Sequence, residues 1–208
     1  MIRRLLRTPQ GAIGVAILLL LAVACLFGPA LAPRDPEALD FLGRFHPPGA
    51  GHWLGADQFG RDVLSRLLVG ARTTVPLALL ATLGGTLAGA VLGTLSAYLG
   101  GRWDEAIMRT VDAVMAVPGL LLALLIAATL GKSSGNAALA VAIAFIPGMT
   151  RVTRSVALAA RRQDYVAAAI ARGESGAWIV LREMLPNVAA PVVIETTIRV
   201  SFAVMLFA

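Results

Sequence analysis

Five apolar stretches dominate this chain, at about 11–31, 74–99, 106–130, 137–157 and from 188 onward. Each is close to the ~20 residues that an α-helix needs to cross ~30 Å of hydrocarbon. In lipid every backbone N–H and C=O must be satisfied within the element itself, so stretches of this length are restricted to helices. Composition agrees. Of 208 residues 58% are hydrophobic and 14% charged, and the mean hydropathy is +0.79, far outside the range of a soluble domain. The expectation is an all-α integral membrane protein, a polytopic helical bundle.

A net charge of +6 does not indicate nucleic acid, because the arginines lie in short intervals beside apolar segments and not on one polar face. Cys25 stands alone inside an apolar run, which leaves neither a disulfide framework nor a cysteine metal site. The first apolar run follows Arg3, Arg4 and Arg7. It is longer than a signal-peptide core of roughly 7–15 residues and has no small-x-small cleavage site before Pro33, so it is expected to persist as a first helix.

Arg102, Arg109, Arg151, Arg154, Arg161, Arg162, Arg172 and Arg182 fall on the side of the N-terminus. The opposite side has a charge-balanced loop at 33–72 and Lys132. The positive-inside rule therefore predicts a cytoplasmic N-terminus. The outer loop ends in HWLGADQFGRDVLSRLLVGAR, where Val63, Leu64, Leu67 and Leu68 fall at helical spacing and predict an amphipathic surface helix. His46 and His52 flank its turn, but two histidines without a carboxylate in a recognisable pattern are expected to be structural and not metal ligands. Gly85, Gly89 and Gly93 repeat every four residues, a stripe that permits close helix packing. GGRWDE is expected as a turn.

Gly131-Lys132-Ser133 looks like the end of a Walker A loop, yet Ile126 stands where the motif needs glycine and no strand precedes it, so no nucleotide site is expected in this chain. No zinc-protease helix, nucleophile elbow or paired carboxylates on one face occur, and no catalytic residue is assigned.

The longest polar interval of the second half is 163–187, QDYVAAAIARGESGAWIVLREMLPN. Tyr165, Val166, Ala169 and Ile170 share one face of a short helix that Gly173 ends. Ser175 can cap a second short helix with Trp178, Leu181, Met184 and Leu185 on one face, before Pro186 interrupts it. On the positive-inside assignment this elbow is cytoplasmic. Within the apolar segments Asp112, Glu195 and Arg199 are the ionisable candidates for a passage or for helix pairing. Glu195 and Arg199 stand four apart and can pair, since an isolated charge at that depth costs at least ~2.5 kcal/mol.

The elbow resembles the EAA loop of the permeases of binding-protein-dependent ABC importers, on Ala168, Ala169, Gly173, Leu185 and Pro186, with Asp164 and Tyr165 just ahead. HWLGADQFGRDVLSRLLVGAR, RWDEAIMRTVDAVMAVPGLLLALL and REMLPNVAAPVVIE extend the likeness to the second permease subunit of dipeptide, oligopeptide and nickel importers, over nearly the whole chain. The resemblance implies a type I (MetI-like) permease fold in the bacterial inner membrane. It also implies a second homologous permease, two ATPase subunits that bind ATP and Mg, and an extracytoplasmic solute-binding protein. The chain would then comprise a first helix in 1–32, an external loop in 33–73 and a permease domain in 74–208, with a coupling loop at 158–187. Its task would be di- or oligopeptide uptake, with nickel or another small solute as the alternative. A channel or secondary transporter working without ATP is the rival of a different class.

Two departures stand out. Ala167 occupies the family's usual glutamate position, so that acidic contact is absent or comes from Asp164 or Glu174. A sixth helix is also expected of the family, and a chain ending in VSFAVMLFA after five segments reads as a truncated product.

Overall fold

The computed structural model describes residues 8–207. Arg3, Arg4 and Arg7 lie outside the described residues. The chain divides into two compact units at Pro76, and the described residues are helical with no strands. Among the described residues four helices are long and apolar enough to cross a membrane, and a bent pair gives a fifth if it counts as one span.

In the first unit α1 (Pro9–Leu31) is capped by Thr8, whose hydroxyl accepts from the Gly11 amide, and has Pro at its first position, where a missing N–H costs nothing. Its flank is bare leucine and isoleucine, with Leu18, Leu20 and Leu26 about two-thirds exposed. Such an apolar flank is suited to lipid. Gly28 is in contact with the Leu68 carbonyl, and the Cys25 thiol donates to the Ala71 carbonyl at 3.0 Å. Both contacts join α1 to the start of α2 (Val63–Leu99), a helix of 37 residues. The expected amphipathic helix and second span are thus one element. Pro76 lies inside it, and a proline removes a single backbone bond, which a helix of that length can lose.

The loop between α1 and α2 is stapled by carboxylates. Asp57 accepts from the amides of Phe59 and Arg61 and pairs with the Arg61 guanidinium at 2.8 Å. Asp62 is 3% exposed. It caps α2 by accepting from the Ser65 amide and hydroxyl at 2.9 and 2.7 Å, and meets His52 Nδ1 at 2.9 Å. Arg34 closes the cluster, with its amide donating to Ser65 Oγ and its guanidinium 3.4 Å from His52 Nε2. His52 therefore has a carboxylate partner after all, ten residues along and invisible to spacing rules.

In the second unit the remainder of α2 packs on α5 (Ser134–Ala160) through the glycine stripe. A Cβ on Gly85 would stand 2.6 Å from the Ala142 carbonyl, one on Gly89 2.6 Å from Met149 Cβ, and one on Gly93 2.8 Å from the Arg154 amide. None would fit. Gly100 and Gly101, both with positive φ, reduce the link to α3 (Gly101–Met115) to the single residue Gly100, so RWDE is helix and not turn. The third apolar stretch is two helices, α3 and α4 (Gly119–Leu130), bent by 87°. Pro118 explains the break. A residue before proline is pushed out of the α region, and Pro118 itself starts α4 as its cap. Asn136 donates to the Leu130 carbonyl at 2.5 Å and Ser133 caps α5, which closes the short connection 131–133.

Asp104 on α3 receives Arg154 of α5 in a two-point pair at 2.6 and 2.5 Å, and Ser96 of α2 donates to the same carboxylate at 2.5 Å. Asp112 pairs with Arg151 further along the same two helices. Thr86 and Thr196, 3.3 Å apart, link α2 to α9 (Ala189–Phe207).

Two outcomes test this packing. Gly89→Ala should lower the thermal stability of the purified protein by about 1–3 kcal/mol, because helix backbones already in contact cannot yield without separating. Burial would raise the Asp62 carboxyl, but the Ser65 and His52 hydrogen bonds outweigh it and hold the group below the usual carboxylate range. A depressed pKa gives stability that is complete above the unfolded value of about 4 and is lost as pH falls through the folded value. Pepsin cleavage of the 40–66 loop should therefore rise as pH drops below about 4, whereas Asp62→Asn should be cleaved readily with little further pH dependence.

Candidate functional site

The elbow is built on a buried seat. α6 (Asp164–Ala171) turns Val166 and Ala169, 1% and 0% exposed, into a cluster with Ala97 of α2, Ala157 of α5, Ile179, Met184 and Val188. Asp164 stands in the first turn, favourable at the positive end of a helix dipole. Gly173 has φ +77, and the amides of Gly173 and Glu174 return to the carbonyls of Ile170 and Ala169, a left-handed helix end that glycine adopts without strain. Ser175 caps the next turn, α7 (Gly176–Trp178), by accepting from the Trp178 amide at 3.3 Å.

A π-helix follows at Ile179–Met184, then a single turn α8 (Leu185–Asn187), and α9 begins two residues later. Pro186 is the cause. It brings no N–H to the turn before it, so the Leu185 amide reaches back five residues to Val180 and the Asn187 side chain donates to the Glu183 carbonyl at 2.6 Å. The helix continues through the proline where sequence reasoning ended it. This wider turn also moves the apolar face. Ile179, Val180 and Met184 are buried, while Leu181, expected on that face, is 51% exposed.

The predicted elbow residues consequently separate. Ala169 is interior, Tyr165 and Leu185 are partly buried, and Asp164, Ala168, Gly173 and Pro186 are exposed. Ala167 and Ala171 are also exposed, as is Ile170 at 56%, so Ile170 departs from the buried face assigned to it. Burial, helped by the nearby Glu183 carboxylate, pushes the Tyr165 phenol up. Arg172 bridges Glu183 at 3.2 Å and Glu174 at 3.7 Å, and its guanidinium lies 6.0 Å from the Trp178 ring centre. Arg161 donates to the Ala97 carbonyl at 3.0 Å, fixing the start of the elbow to the end of α2. Sequence reading missed Arg161 as an anchor, and also the Asp104–Arg154 clamp. Two opposite charges on separate, otherwise apolar segments were the only available signal.

The second candidate set lies on α3 and α9. Glu195 and Arg199 pair at 2.9 Å along α9, and Asp112 is engaged by Arg151, so the structure does not bring the three together. Arg199 lines a cavity of about 260 Å³ beside the α3–α4 bend.

Comparison with known proteins gives the arrangement its family. Residues 85–208 match the model described as "Binding-protein-dependent transport system inner membrane component", and residues 1–48 match "N-terminal TM domain of oligopeptide transport permease C". The chain belongs to the family of binding-protein-dependent inner-membrane transport components. Similar relatives include the "Probable D,D-dipeptide transport system permease protein DdpC" of Escherichia coli K12, 38% identical over 97% of this chain and 67% of the relative. The "Dipeptide transport system permease protein DppC" of Alkalihalophilus pseudofirmus is 32% identical over 98% of this chain and 67% of its own length. The "Glutathione transport system permease protein GsiD" of Escherichia coli O6:K15:H31 is 35% identical with the same coverage. This chain is thus a permease component of a transport system, of a family of membrane subunits that are typically non-catalytic.

The inward and outward alanines give a direct check on the seat. Ala169→Leu should destabilise the purified permease component by about 1–3 kcal/mol in thermal unfolding, through overpacking. Ala168→Leu, on the exposed face, should stay within about 0.5 kcal/mol of wild type.

Proposed function

We propose that this chain is a permease subunit of a peptide ABC importer and that α6 receives the stroke of an ATPase subunit. The observation that carries this reading is the two-sided build of α6. Val166 and Ala169 root it in the cluster that joins α2, α5 and α9, while Ala167, Ala168 and Ile170 present a small, apolar outer face. A partner that presses on such a helix moves the transmembrane bundle with it, because the inner face of the helix is packed into that cluster. The positive φ at Gly173 and the Arg172 bridges hold its angle.

Energy then comes from ATP and Mg held by partner ATPases, and the path is completed by a second permease fed by an external solute-binding protein. Asp164, Tyr165, Ala168, Gly173, Leu185 and Pro186 form or support the coupling surface, and Ala169 anchors it. Glu195 and Arg199 lie on the passage, whereas Asp112 joins α3 to α5. The elbow faces the cytoplasm with the N-terminus, an orientation supported by the arginines gathered at 102–109 and 151–182. The peptide class rests on the relatives named for dipeptide, D,D-dipeptide and glutathione transport.

The test is Ala168→Trp in the assembled importer. ATPase co-purification should fall about tenfold or more, as overpacking a tight interface costs about 1–3 kcal/mol, with capture of the solute-binding protein unchanged. Normal co-purification and normal ATP-driven uptake would refute the coupling role.

A further inference from the structure

Arg199 stands near the middle of α9 and is 17% exposed at its side chain. A guanidinium carries five N–H donors. One from Nη2 goes to Glu195 Oε1, and the cation sits 5.5 Å from the Phe145 ring centre. The Nε–H is buried and has no acceptor among the described residues. A pair that served only to hold helices together would close on itself, yet this one leaves a buried charged donor unmatched. Such a donor carries a cost that an acceptor would offset once the guanidinium turned toward it.

The surroundings suit an incoming anion. Arg199 is the sole polar residue lining the cavity of about 260 Å³, whose other walls include Val117, Gly119, Phe145 and Gly148. Gly148 makes room for the guanidinium, since a Cβ there would stand 2.7 Å from Nη2. Gly119 opens α4, and the preceding Pro118 offers no side-chain cap, so first-turn amides add positive potential at the same wall. An apolar hollow with one guanidinium binds a small amphipathic oxyanion.

We infer that Arg199 receives the carboxylate of the transported peptide while the α3–α4 hollow takes its apolar part, an inference that rests on the peptide-importer reading. Lipid phosphate is the other source of an oxyanion. Arg199 lies ten residues, about 15 Å, from the start of α9, a depth that favours a translocated solute over a headgroup. Glu195 keeps the empty site neutral overall, which allows the charge to remain in the bundle between passages.

The experiment follows uptake of alanyl-alanine and of its C-terminal amide by the complete importer in proteoliposomes, each at saturating solute-binding protein. Comparing the acid-to-amide ratio between variants cancels the preference of the binding protein. Arg199→Gln should lower uptake of the free acid by about tenfold or more and bring the ratio toward that of the amide, since charge-assisted bonds are the strong ones. Arg199→Lys should restore part of the ratio, and Gly148→Ala, which displaces the guanidinium, should raise the KM for the free acid more than it lowers kcat. If Arg199→Gln leaves Glu195 unpaired and fails to assemble, the double variant Glu195→Gln/Arg199→Gln removes both charges and must show the same loss of ratio. Equal loss for both peptides, or an unchanged ratio, overturns the carboxylate contact. A ratio that tracks the anionic lipid content of the vesicles instead of residue 199 assigns the site to lipid and overturns it as well. A wild-type importer that couples ATP hydrolysis but moves neither peptide overturns the peptide reading and this contact with it.

Discussion

Contact between bare helix backbones is the condition on which this bundle depends. Lipid offers no hydrophobic force to drive apolar helices together, so what remains is dispersion at short range and hydrogen bonding across the interface. Gly85, Gly89 and Gly93 provide the first by letting α2 lie against α5 with no side chain between them. That proximity makes the rest possible. Only because α2 and α5 are close can Ser96 and Arg154 converge on the same Asp104 carboxylate of α3, and only then does a common base exist for Val166 and Ala169 of α6.

The polar groups of the bundle follow the same logic. Arg154, Arg151, Glu195 and Thr86 each meet a partner inside the membrane-spanning helices or at their ends, which is the condition under which charge and hydroxyl are tolerated there. Arg199 is only partly matched. In the first unit the arrangement is reversed, with an aqueous loop held by carboxylates that accept backbone amides, and Asp62 doing so from a buried position.

The sequence made the helical class, four of the apolar spans and the place of the elbow legible, because the apolar length of each stretch is dictated by the thickness of the bilayer. It also displayed the glycine stripe, the Ser175 cap and the Glu195–Arg199 spacing, all of which are local. What it hid depended on competition between signals. Pro118 and Pro186 look alike as helix breakers, yet the first produces an 87° bend and the second is absorbed by a π turn, since Asn187 is at hand to satisfy a stranded carbonyl. Ala168 and Ala169 are indistinguishable by residue type, and only the tertiary seat decides which points inward. The union of the surface helix with the second span was obscured by the polar residues Arg66 and Arg72, which interrupt hydropathy without interrupting hydrogen bonding.

The π turn at 179–184 has a consequence for the whole of α9. Such a turn amounts to one residue more than an α-helix would use, and each residue of an α-helix rotates the chain by about 100°. The elbow therefore sets the angular phase of everything after it. If the ladder at 179–184 closed to α geometry with every residue kept, the surplus residue would turn α9 by about 100° and carry Arg199 off the hollow, whereas deleting one residue there would restore an α ladder with the phase of α9 unchanged. Segments on either side of Pro186 are in this sense geared together, and a change of hydrogen-bonding pattern at the surface elbow would be felt as a change of face deep in the bundle.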